Sequence, residues 1–231
     1  MENMEQNKKQ YKAVIFDMDG VIFDSERAVL KGWLELGEKY GIPDIEKVFY
    51  KCIGVNATAT KQIFQDYYGE DFPYDTYKQE TSADYHAKYD GGKLPMKPGI
   101  RELLQFLKDE GYHIGLASST RHAVVYQQLK DAEILWYFEN LTCGDMVQRS
   151  KPEPDIFLKA AEILGIAPAD CIVIEDSYNG IRAAHRAGMF PIMVPDMIAP
   201  DAEMKQLAGV IMDNLNEVRE YLKQKQILDR V

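Results

Sequence analysis

The chain has 231 residues, 46% of them hydrophobic and 28% charged, with a formal net charge of −10 and a pI near 5.0. That length suits one domain carrying an insertion, and the acidic balance argues against a nucleic-acid or anionic-membrane surface. The three cysteines, Cys52, Cys143 and Cys171, lie far apart with no CxxC, a pattern of reduced thiols in a cytosolic protein and not of a disulfide or zinc framework.

Met1 to Gln10 is polar and lacks the apolar centre of a secretory signal, so it reads as a short disordered tail. No later apolar run is long enough to span a bilayer, and a cytoplasmic location is expected. Ala13 to Phe16 is a continuous apolar run and predicts a buried strand. It leads directly into Asp17-Met18-Asp19-Gly20. Ser25 to Tyr40 predicts a helix with Val29, Trp33, Leu36 and Tyr40 on one face, ended by Gly41-Ile42-Pro43. From there to Gly92 the texture is polar and tyrosine-rich, broken by Gly69 and Pro73, and reads as a small helical module. Its tyrosines read as helix-packing faces.

From Pro98 the pattern alternates. Ile100, Leu103, Leu104 and Leu107 predict a helix, and Tyr112 to Ala117 a strand ending in Ser118-Ser119-Thr120. A helix to about Leu129 and a short strand at Asn140–Cys143 follow. Asp155 to Leu164 predicts a helix with Ile156, Phe157, Ala160 and Leu164 inward. Cys171 to Ile174 is a strand ending in Glu175-Asp176-Ser177, then a helix to Ala187 with Gly188 at its stop. Strands at Phe190–Val194 and Val210–Met212 and a helix carrying Leu215, Val218 and Leu222 complete the chain. Alternating strands and helices predict an α/β fold with a mostly parallel sheet. Trp33 and Trp136 are expected in packing interfaces. The four histidines lack metal-ligand spacing.

Four strand ends or loops carry polar groups: Asp17 and Asp19, Ser118 and Ser119, Lys151, and Glu175 and Asp176. Parallel strands point their carboxyl ends to one edge, where these groups can converge. Several carboxylates suit a hard cation such as Mg²⁺. A lysine with hydroxyls and backbone N–H groups suits a phosphoryl group. An aspartate can attack phosphorus, and a second carboxyl can move the proton. Singly, each group has a plain structural reading as turn residue, solvated lysine or helix cap. Together they form a chemical set.

With these motifs in view, the sequence resembles the haloacid dehalogenase superfamily, in the branch that includes β-phosphoglucomutase-like and phosphoglycolate-phosphatase-like members. Phe16-Asp17-Met18-Asp19-Gly20-Val21, Leu116-Ala117-Ser118-Ser119-Thr120, Lys151-Pro152-Glu153-Pro154 and Ile174-Glu175-Asp176-Ser177-Tyr178-Asn179-Gly180 match its four motifs in order. The resemblance implies a Rossmann-like doubly wound parallel sheet over 1–24 and 95–231, with an all-helical cap inserted at 25–94. It implies Asp17 as nucleophile and Asp19 as general acid/base. Asp17, Asp19 through its carbonyl, Glu175 and Asp176 are implied as Mg²⁺ ligands or their close support. Ser118, Ser119 and Lys151 are implied as phosphate binders, and Gly20 as the close turn beside them. The implied partner is a small phosphorylated substrate, with no nucleic acid and no membrane, in a monomer with an oligomer left open.

The substrate is less legible. The loop Ile53-Gly54-Val55-Asn56-Ala57-Thr58 resembles the family's substrate-facing cap loop. The β-phosphoglucomutases carry an arginine where this chain has Ala57 and a histidine where it has Val29. Arg121 stands where they carry a lysine, and reads either as a second anion binder or as a solvated helix-start residue. The expected function is a Mg²⁺-dependent phosphatase of a small phosphorylated metabolite. The alternatives are a β-phosphoglucomutase-like phosphotransferase and, in another class, a phospho-accepting signalling module.

Overall fold

The computed structural model describes residues 11–53 and 57–230. The expected disordered tail and the centre of the Ile53–Thr58 loop lie outside the described residues. Six parallel strands are laid out β3-β2-β1-β4-β5-β6. They are β1 (Ala13–Phe16), β2 (His113–Ser118), β3 (Asn140–Cys143), β4 (Cys171–Glu175), β5 (Phe190–Met193) and β6 (Val210–Ile211).

Alternation along these short strands feeds two cores. Val14 and Phe16 of β1, Ile114 and Leu116 of β2, and Ile172 and Ile174 of β4 pack on one face. Ala13 and Ile15, Ala117, and Cys171 and Val173 pack on the other. Helices cover both faces, and so β1 and the first four residues of β4 read as unbroken apolar runs. The first face is covered by α5 (Ile100–Asp109), α6 (His122–Asp131) and α10 (Leu215–Arg230). The α5 residues Ile100, Leu103, Leu104 and Leu107 recur at helical spacing and are all buried. The second face is covered by α7 (Asp155–Leu164) and α8 (Tyr178–Arg186), half of whose buried positions are alanine. Ile156, Phe157 and Ala160 are buried on the expected inner face of α7, Leu164 packs half-buried against the same core, and Ala161 joins them. The short helix α9 (Ala202–Leu207), capped by Asp201 through Met204 N–H, has no counterpart in the sequence reading.

Among the described residues, four helices lie between β1 and α5: α1 (Ser25–Tyr40), α2 (Ile45–Tyr50), α3 (Ala57–Tyr68) and α4 (Tyr74–Tyr89). They share their own core, built on Leu30, Trp33, Leu36, Val48 and Phe64. Trp33 stacks on Tyr74 at 5.7 Å and lies 4.6 Å from Phe64. The tyrosines do pack helix against helix here, at modest energy per pair beyond their area. Two residues of the expected α1 face are not in this core. Val29 is 37% exposed and faces a cavity; Tyr40 is 46% exposed and its hydroxyl donates to Glu80 at 2.9 Å. A phenol can stay at the rim because its polar end finds a partner there.

Trp136 is also a correction. It is 56% exposed, in a single helical turn before β3, stacked on Tyr137 with Lys108 Nζ 3.9 Å from its ring. The turn packs against the core through Leu135 and Tyr137, which leaves the Trp136 ring on the surface.

Two chain crossings join the four helices to the sheet. Asp24 N–H donates to the Pro95 carbonyl and Lys97 N–H to the Ile22 carbonyl, both at 2.8 Å, so the crossings are tied together. Asp196, in the loop after β5, closes the set: its Oδ1 lies 2.7 Å from Lys97 Nζ and 3.1 Å from Arg27 Nη2.

Candidate active site

The strand order reverses direction at β1, which has β2 on one side and β4 on the other. The carboxyl edge at such a point is where open α/β sheets leave a crevice. Asp17 follows β1 and stays paired to the sheet, its N–H donating to the Ile174 carbonyl at 2.9 Å. Glu175 is the last residue of β4 and Ser118 the last of β2. Lys151 reaches in from the loop after β3. Its Nζ bonds Asp17 Oδ1, Glu175 Oε1 at 2.8 Å and the Ala117 carbonyl at 3.1 Å.

One lysine thus faces several buried carboxylates. Burial pushes the Asp17 carboxyl from an ordinary 3.8 up to about 8; Lys151 opposes this, and Glu175 and Asp19 add to it. Asp176 is raised well above its ordinary value by burial, then by Glu175 and Asp17. Burial works against the Lys151 charge, but Asp17 and Glu175 outweigh it and raise the lysine's pKa. Without a metal, the folded state holds a proton on Asp17 that the unfolded chain has lost above the ordinary value. Stability of the metal-free protein should therefore fall as pH rises between those two values. Melting in a chelator at about pH 6 and about pH 8 checks this: the midpoint is expected to be lower at the higher pH. The slope should weaken in Asp17→Asn.

Asp17, Glu175 and Asp176 each offer an oxygen, all within 4.8 Å of one another. A hard divalent cation with oxygen preference fits such a set. Two local features shape it. Glu175 Oε2 accepts from Ser177 N–H at 2.7 Å and from the Ser177 hydroxyl at 3.0 Å. Ser177 also caps α8 by accepting from Gly180 N–H at 3.0 Å, the capping role its position predicts. Gly20 has φ +79°, and a Cβ there would collide with the Asp176 carboxylate.

Asp19 is held by two hydroxyls: Ser25 donates to Oδ1 at 2.7 Å and Thr120 to Oδ2 at 2.9 Å. Both oxygens are fixed, so the carboxyl plane is set before any ligand arrives. Ser25→Ala and Thr120→Val are each expected to lower kcat about 10- to 100-fold with little change in KM, as small misplacements of reacting groups do. Unchanged kcat in both variants would remove this orienting role.

The two serines after β2 divide. Ser118 is fully buried and its hydroxyl accepts from Thr120 N–H at 3.1 Å, while Ser119 lines the cavity over Asp17 and Lys151. Arg121 is exposed at the start of α6 and is on the wall of none of the cavities described at the site. Thr120 turns in to Asp19, and Arg121, extended at φ −69° and ψ 145°, turns away, as neighbours in extended chain do.

The cavity over Asp17, Asp19, Lys151 and Asp176 is about 670 Å³. A second, of about 420 Å³, runs from Asp19 up among α1, α3 and α4.

The family model of haloacid dehalogenase-like hydrolases matches residues 14–194. The chain belongs to that family. A β-phosphoglucomutase of Bacillus subtilis is 34% identical to it over 215 residues, 89% of this chain and 94% of that one. A phosphorylated carbohydrates phosphatase of Thermotoga maritima is 31% identical over 178 residues, 77% of this chain and 82% of that one. Among solved structures, a haloacid dehalogenase family hydrolase of Deinococcus radiodurans with bound phosphate and sodium superposes with a TM-score of 0.79 at 25% identity, covering 94% of this chain and 97% of that one.

In this haloacid dehalogenase-like hydrolase the motif residues Asp17, Asp19, Lys151, Glu175 and Asp176 meet at one edge. Three further groups at the same edge have no site role in the sequence reading. Ser25 reads as the first residue of a helix, yet it holds Asp19. Gly180 closes the fourth motif because a Cβ there would strike the Glu175 carboxylate. Glu26 sits between both cavities, with its carboxyl pushed up to about 7 by burial, then by Asp19 and Asp196. A glycine five residues after a motif glutamate is a usable signal; the inward turn of Ser25 and Glu26 leaves none.

Proposed function

We propose that this hydrolase is a Mg²⁺-dependent phosphatase of small phosphorylated metabolites, acting through an aspartyl-phosphate on Asp17. The observation that carries the reading is the pairing of a lysine-braced carboxylate, Asp17, with a second carboxylate, Asp19, whose two oxygens are already oriented by hydroxyls.

In the proposed reaction Asp17 attacks phosphorus and the ester oxygen leaves with a proton from Asp19. Asp19 then takes a proton from water, the water oxygen attacks the aspartyl-phosphate, and inorganic phosphate departs with Asp17 restored. Lys151 and Ser119 hold phosphoryl oxygens on one side of the cavity. Asp17, Asp176, Glu175 and the Asp19 carbonyl would hold Mg²⁺, which when bound offsets the crowded negative charge of carboxylates and phosphoryl group. Asp176 suits a ligand role because it has no hydrogen-bond partner among the described residues and faces like charges. Residues 25–94 act as a cap that excludes water during the reaction.

Phosphate release over a panel of metabolite monophosphates, with Mg²⁺ and with excess chelator, tests this. Turnover is expected with Mg²⁺ and about 10³-fold less or none with chelator. Equal rates in both would overturn the metal dependence. A mutase reading draws on the β-phosphoglucomutase relative. Isomerisation of glucose 1-phosphate, primed by a bisphosphate and without net phosphate release, would favour it over hydrolysis.

A further inference from the structure

The two cavities share four lining residues: Asp19, Glu26, Cys52 and Ile53. These form the neck between the place of the phosphoryl group and the space among the helices. Asp19 stands at the ester oxygen in the proposed reaction, so the first atoms of the leaving group pass Glu26. Cys52 and Ile53 bring no charge to the neck.

We infer that Glu26 is a specificity-determining residue, favouring a leaving group with an uncharged hydroxyl beside the phosphoester and rejecting one with a carboxylate or second phosphate there. The inference rests on the phosphatase reading and adds the substrate class to it.

The argument is one of charge and partners. Glu26 can bond a hydroxyl whichever protonation state it holds. An anion beside it would be desolvated with no free side-chain cation among the described residues of the neck to meet it, which is costly. The described cations closest to the neck are already engaged. Arg27 and Lys97 pair with Asp196 and line neither cavity. Arg182, which borders a side pocket next to Glu26, is held by Glu203 at 2.6 and 2.8 Å and by Asn179 at 3.0 Å. Lys151 is bonded to Asp17 and Glu175. Lys78 lines the second cavity but not the neck. The pressure from Asp19 and Asp196 that already raises the Glu26 carboxyl would be increased by a further anion. Selection by an unfavourable group against the wrong ligand is a general route to specificity.

Two small esters isolate this effect. 2-Hydroxyethyl phosphate and 2-phosphoglycolate differ only in a CH₂OH or a carboxylate beside the ester carbon. The wild-type protein with Mg²⁺ is expected to favour the first by at least about tenfold in kcat/KM, equivalent to about 1.4 kcal/mol. Glu26→Gln should shrink that ratio at least about fivefold, mainly through a lower KM for 2-phosphoglycolate. Equal or reversed preference in the wild type overturns the inference, as does an unchanged ratio in Glu26→Gln. The wild-type ratio stands as a test even if the variant fails to fold. p-Nitrophenyl phosphate separates the two levels: its hydrolysis without the predicted preference sinks only the inference, and no hydrolysis of any of the three esters sinks the phosphatase reading with it.

Discussion

Asp17→Asn is expected to abolish turnover, by about 10⁴-fold or more, while leaving the fold intact. The amide has the shape of the carboxylate but cannot form the proposed covalent intermediate. In the metal-free protein burial, Glu175 and Asp19 already keep Asp17 protonated near neutral pH, and the neutral amide matches that state. The metal-free variant should therefore melt no lower than the wild type, and the lysine keeps Glu175 as partner at 2.8 Å. Phosphate release and a thermal melt on the same preparation check both halves. Near-wild-type turnover would refute attack by Asp17. Lost turnover with a collapsed melt would show instead that the carboxylate is structural.

Lys151→Met carries the largest expected effect on stability. The lysine side chain is 7% exposed and is the bonded cation of Asp17 and Glu175. Methionine keeps most of the stem, including its place near the Phe157 ring, 4.9 Å from Nζ. It leaves the carboxylates uncompensated. Removing one partner of a buried ion pair costs about 3–5 kcal/mol, which in a domain of this size lowers the melting midpoint by about 10 °C. Acid should soften the loss, because protonated carboxylates no longer repel, and Mg²⁺ should soften it in part. Turnover is expected to fall about 10³-fold as well, since the phosphoryl oxygens lose their cationic partner. A melt unchanged from wild type would show that the lysine does not balance these charges.

The elements near the site are the most legible from sequence. β1 is readable because a strand covered on both faces needs apolar residues at every position, and Ala13 to Phe16 supply them. α1 is placed to the residue, Ser25 to Tyr40, because its Gly41 stop takes the left-handed conformation that ends helices. Its buried stripe is less legible. Val29 and Tyr40 satisfy the period of the core face, but a period fixes a face only to within a residue, and the neighbouring helices decide which flank is covered. α9 is hidden because a helix of one and a half turns presents too few apolar positions to show a period; it buries Met204 alone. Trp136 shows the opposite error: size and apolarity suggest a packed residue, but its neighbours Leu135 and Tyr137 take the inward places of the turn and leave it on the surface.

The sequence by itself determined the chemistry of the edge. Parallel strands share a direction, so the residues that follow β1, β2 and β4 fall at one edge without any knowledge of packing, and the types found there are carboxylates and serines. The tertiary structure alone decided how those groups are held and what lies above them. The hydroxyls of Ser25 and Thr120 meet Asp19 across 6 and 101 positions of sequence. Glu26 enters the neck because the crossing at Asp24 turns α1 over the sheet, and Arg121 leaves it because the chain reverses face after Thr120. These outcomes depend on side-chain direction at turns between elements. Periodicity carries no information there, because it describes faces within an element and not the angle at which one element meets the next.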